Sequence, residues 1–126
     1  MSFDVYLRKN GKPVQVDTHA EGSTIKVEKA FSIDNALYGG TSDAEMTITF
    51  NYNKFYRKVL HPDGLDWLHG KTGRQTIPRL KEAIRTLGTK RDMDYWASTP
   101  GNAGYALSTL LTWAEQHPSA KFIVHG

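Results

Sequence analysis

Cysteine is absent from this chain of 126 residues, which excludes disulfides and thiolate metal sites and suits a reducing compartment. No apolar run approaches the length that spans a bilayer. Met1-Ser2-Phe3-Asp4 has no basic segment leading into an apolar one, so no secretory signal is expected. The histidines are His19, His61, His69, His117 and His125. None has another at i+3 or i+4, the spacing that sets two imidazoles side by side on a helix, so no metal site is expected. Neither a Gly-x-Ser-x-Gly nor a Ser-His-Asp pattern occurs. These absences lead to the expectation of a soluble protein with no catalytic residues, no cofactor and no membrane partner.

What is present is one domain's worth of chain, 1–126, long enough to bury a core without staples. Its charge is uneven. Residues 1–50 carry five Lys/Arg and seven Asp/Glu, whereas residues 51–126 carry eleven and six. Between Lys54 and Arg91 ten basic residues face only Asp63, Asp66 and Glu82. A block of that kind attracts phosphates or an acidic protein surface, or simply solvates helices.

Phe3, Val5 and Leu7 alternate with polar neighbours, which predicts a half-buried strand. Asn10-Gly11 predicts a type I′ turn, since both central positions of that turn require positive φ. Val14 and Val16 then continue a return strand. A weaker strand is expected near Thr24–Glu28. Ala44, Met46, Ile48 and Phe50 alternate with Glu45, Thr47 and Thr49, the clearest strand pattern in the chain. Its polar face suits an antiparallel sheet with one side towards water.

From residue 51 the periodicity becomes helical. A short helix is expected over about Tyr52–Leu60, with Phe55, Val59 and Tyr52 on its inner face. His61-Pro62-Asp63-Gly64 supplies turn chemistry, and Leu65–His69 a single helical turn. Thr76 is expected to open the next helix, with Pro78 in its first turn. Ile77, Leu80, Ala83, Ile84 and Leu87 form its stripe, and Gly88 its stop. Thr99 as N-cap and Pro100 at the first helical position predict a last helix to about Gln116. Its stripe is Ala103, Ala106, Leu107, Leu110, Leu111 and Ala114, with Trp113 at the edge. Phe122-Ile123-Val124 reads as a terminal strand or a tail. The fold class is α+β: a small N-terminal antiparallel sheet of three or four strands, covered by two main C-terminal helices and one short one.

Gly70-Lys71-Thr72 echoes the end of a phosphate-binding P-loop, but the glycine required five positions earlier is Leu65, and no strand feeds the loop. Lys71 and Arg74 remain as cations beside the helix expected from Thr76. Asp94-Tyr95-Trp96-Ala97-Ser98-Thr99-Pro100-Gly101-Asn102 is the other notable stretch. Tyr95 and Trp96 can stack on a base, or plug the core. Asn102 can present donor and acceptor to a base edge, or help cap its helix.

The order Asn51-Tyr52-Asn53, Gly64-Leu65, Gly70-Lys71-Thr72, Ile77-Pro78-x-Leu80 and Tyr95-Trp96-x-x-Thr99-x-Gly101-Asn102-Ala103 resembles a family of small proteins of tailed bacteriophages and prophages. Ser2-Phe3-Asp4-Val5-Tyr6-Leu7 resembles their N-terminus. The resemblance covers about 51–114 and carries no assigned activity. It implies a phage-encoded protein acting in the bacterial host cytoplasm, where small phage proteins often antagonise defence. The expectation is a non-enzymatic binder of a nucleotide-type immune signal, such as a cyclic oligonucleotide or an ADP-ribose-like molecule. Arg57, Lys71, Arg74 and Arg79 would meet phosphates, Tyr95 and Trp96 would stack, and Asn102 would read the base. The alternatives are an inhibitor of a host defence protein and a DNA- or RNA-binding accessory protein. A pocket shared between copies would make the protein a homo-oligomer.

Overall fold

The alternation at the N-terminus forms the central strand. Phe3, Val5 and Leu7 of β1 (Ser2–Lys9) are buried, and the residues between them face outward. The computed structural model describes residues 1–17, 41–94 and 97–126. The strand expected near Thr24–Glu28 and the Tyr95-Trp96 pair lie outside the described residues.

Asn10 and Gly11 both take left-handed φ, 55° and 78°, as a type I′ turn demands. The return strand is shorter than the alternation suggests. β2 (Lys12–Pro13) pairs Lys9 with Lys12 and Arg8 with Pro13. Then three backbone bonds join three strands at one point. Val14 N–H donates to the Leu7 carbonyl at 3.0 Å, Leu7 N–H to the Ala44 carbonyl at 3.0 Å, and Ala44 N–H to the Val14 carbonyl at 2.9 Å. Beyond this junction β3 (Gln15–Asp17) pairs with β4 (Thr41–Asp43) as a separate ribbon. β5 (Glu45–Thr49) runs back along β1, from Tyr6↔Glu45 to Ser2↔Thr49. Ala44, Met46 and Ile48 are buried, matching the period of two.

Three helices and two 3-10 turns follow. Phe50–Tyr52 is a 3-10 turn, and the Thr49 hydroxyl accepts from Asn51 N–H at 3.2 Å. It leads directly into α1 (Asn53–Val59). The buried stripe here is Tyr52, Tyr56 and Leu60, while Phe55 and Val59 are half-buried. The four-residue spacing of that stripe is the face neighbour rule of a helix. Tyr56 goes inside because its hydroxyl donates to the Ala103 carbonyl at 2.9 Å, so no polar atom is stranded. A second 3-10 turn covers Gly64–Leu68.

α2 (Gly73–Leu87) begins earlier than Thr76. Thr72 and Gln75 form a reciprocal capping box: Gln75 N–H donates to Thr72 Oγ1 at 3.3 Å, and Thr72 N–H to Gln75 Oε1 at 2.9 Å. Thr76 is a buried residue of the first turn, its hydroxyl donating to the Gly73 carbonyl at 2.8 Å. Pro78 therefore lies inside the helix. Gly88 closes it at φ 76°, a region that favours glycine.

α3 (Pro100–Gln116) starts where the sequence places it, with Asn102 N–H donating to Thr99 Oγ1 at 3.1 Å. Trp113 is fully buried rather than peripheral, and Leu111 is only half-buried. α2 and α3 run antiparallel and touch through small residues at both ends. A Cβ on Gly73 would lie 3.0 Å from Ala114 Cα, and one on Gly104 only 1.8 Å from the Gly88 carbonyl oxygen.

β6 (Lys121–His125) returns to the sheet and pairs with β1 from Arg8↔Lys121 to Asp4↔His125. β1 is thus flanked by β5 on one edge and β6 on the other, so the sheet joins both ends of the chain and is not purely N-terminal. Phe122 and Val124 add to the same buried face as Leu7 and Val5. The result is an α+β fold in which one hydrophobic core lies between sheet and helices. Among the described residues no helix is long and apolar enough to cross a membrane.

Candidate functional site

The 3-10 turn and α1 leave an open cleft of about 660 Å³ beside the start of β1. It is lined by Phe3, Phe50, Asn51, Asn53, Lys54, Arg57, Asp66, Ser98 and Gly126. Phe3 and Phe50 meet edge to face, ring centroids 4.6 Å apart at 68°, a favourable aromatic geometry. Asn53 accepts from Leu65 N–H at 2.9 Å through Oδ1 and so ties α1 to the second 3-10 turn. Gly64 at φ 67° makes this approach possible, because a Cβ there would overlap the Asn53 amide. The Ser98 hydroxyl donates to the Asn51 carbonyl at 3.0 Å and ties in the segment that precedes α3.

Lys54 and Arg57 stand three residues apart on the outer face of α1, and both are exposed. Among the described residues no ion pair involves either of them. Lys54 Nζ lies 5.3 Å from the centre of the Phe55 ring. The cleft thus offers two cations, one carboxylate, an aromatic wall and a hydroxyl.

A second cluster is built on Trp67, next to Asp66 in the same turn. His61 stacks on the indole at 5.8 Å and 20°. Lys71 Nζ and the Arg79 guanidinium lie 5.0 and 5.3 Å from the ring centre, within cation–π range. Arg79 also donates to the Leu60 carbonyl at 2.7 Å, capping the end of α1. Trp67 was visible in the sequence only as an aromatic within a basic block. Nothing local marks it as the group that gathers Lys71 and Arg79.

The expected site residues therefore separate. Arg57 lines the cleft, and Lys71 and Arg79 converge on Trp67. Arg74 is exposed in the first turn of α2 and enters neither group. The idea that Lys71 and Arg74 flank an anion at this helix start meets a physical obstacle. The N–H groups of Gly70, Gly73 and Arg74 donate to the carbonyls of Phe122, Ala120 and Pro118, and that of Lys71 to Leu68. Thr72 N–H is held by Gln75. Five consecutive amides already have acceptors, so the loop serves to fasten α2 to β6 and offers no cradle.

Asn102 corrects a second expectation. It is 2% exposed, and its amide binds the preceding loop. Oδ1 accepts from Asp92 N–H at 2.8 Å, and Nδ2 donates to the carbonyls of Asp94 and Ala97, both at 3.0 Å. An amide engaged on both edges has no free edge with which to read a base. Asn102 is a loop clamp. Tyr95 and Trp96 lie between its partners in the chain and outside the described residues.

Beside this loop, burial first and then the Asp94 carboxylate push the Tyr52 phenol up to about 12, with Arg91 opposing. Tyr52 stays neutral and packs edge to face on Tyr56 at 6.4 Å. No group of three His, Cys, Asp or Glu able to hold a metal is found among the described residues. Comparison with protein-family models, curated proteins and solved structures finds no match for this chain.

Proposed function

We propose that this protein is a non-enzymatic binder of a phosphate-bearing, nucleotide-type ligand, and that the α1 cleft is where it binds. The observation that carries the reading is the pairing of Lys54 and Arg57, without ion-pair partners among the described residues, with the aromatic wall of Phe3 and Phe50 in one concavity. Cations of this kind meet phosphate oxygens, and the apolar wall takes the planar part of the ligand. Asn51 and Ser98 add polar atoms to the same lining. Lys71 and Arg79 on Trp67, next to Asp66 in the chain, add positive charge that draws anions. Read together with the resemblance to phage proteins, the proposed ligand is a host immune nucleotide, sequestered by mass action.

The test is thermal unfolding of the whole chain with cyclic oligonucleotides, ADP-ribose derivatives and short DNA and RNA. A ligand at a hundred times its Kd stabilises the folded state by about 2.7 kcal/mol. The expected result is a raised midpoint with one small nucleotide, persisting at high salt and lost in Arg57→Glu. A response to DNA or RNA alone, collapsing with salt, would replace this reading with nucleic-acid binding. No response to any member of the panel would overturn both.

A further inference from the structure

At the other end of β1, about 17 Å from Phe3 at ~3.4 Å per residue, the sheet places like charges opposite one another. Arg8 of β1 pairs directly with Lys121 of β6, and Lys9 with Lys12 across the hairpin. Like charges directly opposite in an antiparallel pair repel. A concavity of about 400 Å³ opens here, lined by Arg8, Lys9, Asn10, Gly11, Ser119, Lys121 and Ile123. Among the described residues no carboxylate lines it and no ion pair neutralises Arg8, Lys9 or Lys121.

Arg8 is held in place. Its guanidinium carbon sits 4.6 Å from the centre of the Tyr6 ring. Its Nε–H is shielded from solvent and has no hydrogen-bond partner. A desolvated donor with no acceptor is costly. Three cations and a hydroxyl line one concavity, and an oxyanion with several acceptor oxygens is the group that would neutralise them.

We propose that this hairpin pocket binds a phosphate or diphosphate group, with Arg8, Lys9 and Lys121 as its cationic ligands and Ser119 as a hydroxyl donor. The site is separate from the α1 cleft and does not depend on what that cleft binds.

The test uses the whole chain and inorganic pyrophosphate. Amide shifts of Lys9, Gly11 and Ser119 are followed by NMR, and affinity by calorimetry. Saturable shifts at these residues are expected, with affinity about tenfold weaker in Lys9→Gln/Lys121→Gln. Lys54→Gln/Arg57→Gln should leave them unchanged. In phosphate-free buffer Lys121→Glu sets a carboxylate opposite Arg8, so it should raise the thermal midpoint while removing pyrophosphate binding. Absence of shifts at the hairpin would overturn the proposal. So would equal loss in the cleft and hairpin variants, which would mean diffuse attraction to net positive charge.

Discussion

Replacing Asn102 with alanine separates a clamp from a ligand-reading residue. The side chain is 2% exposed and holds Asp92 N–H and the carbonyls of Asp94 and Ala97 at 2.8, 3.0 and 3.0 Å. Three hydrogen bonds at about 1 kcal/mol each give ~3 kcal/mol. Asp92 and Asp94 are exposed residues, so water recovers part of the loss and the expected cost of Asn102→Ala is about 2 kcal/mol. Thr99 still caps α3, so the helix start survives. With a urea slope of roughly 1–2 kcal/mol/M for a domain of this size, the midpoint should fall by about 1–2 M at unchanged slope. Asn102→Asp keeps the acceptor for Asp92 N–H but turns a carboxylate oxygen towards two carbonyls. It should cost at least as much as alanine. A loss below about 0.5 kcal/mol in Asn102→Ala, or a milder effect from Asn102→Asp, would refute the clamp and return Asn102 to the ligand.

Gly104→Ala forces a Cβ to within 1.8 Å of the Gly88 carbonyl oxygen, so the α2–α3 contact must open. Overpacking of about 3 kcal/mol against a helix-propensity gain of ~1 leaves a net loss near 2 kcal/mol, read as a lower Tm; an unchanged or raised Tm would refute the close contact. Arg79→Ala should cost about 1 kcal/mol in urea unfolding through the lost bond to the Leu60 carbonyl, and Arg79→Ser should recover nothing. Tyr52 has its folded-state pKa raised to about 12, against ~10 when unfolded. Its contribution is complete below pH ~10 and is lost as pH rises towards 12, at up to ~1.4 kcal/mol per pH unit. Tyr52→Phe should flatten that alkaline decline in a pH series of unfolding free energies.

Much of the fold is legible residue by residue. Asn10-Gly11 specified its turn, and the alternation in 44–49 its strand. Thr99-Pro100 and Gly88 specified helix ends. Each of these depends on φ preferences or on groups no more than four residues apart. Even the misplaced start of α2 was decipherable, since Thr72 and Gln75 have capping-box spacing; the nearby Pro78 drew the boundary three residues too late. The candidate site was less legible. The basic block contained Arg57, Lys71, Arg74 and Arg79, but their grouping depends on where α1, the Gly64–Leu68 turn and α2 meet.

The sequence by itself therefore determined an α+β chain with a hairpin first, helices later and surplus positive charge between Lys54 and Arg91. Tertiary structure decided that β1 is central, that the return strand leaves it at Val14, and that β6 pairs with Arg8 through Asp4. It also decided that Asn102 holds a loop and that Lys71 and Arg79 share Trp67. The physical reason is range. Backbone preference and periodicity act over a few residues, whereas Arg8 and Lys121 become neighbours only when burial of Leu7 against Phe122 brings distant segments into one register.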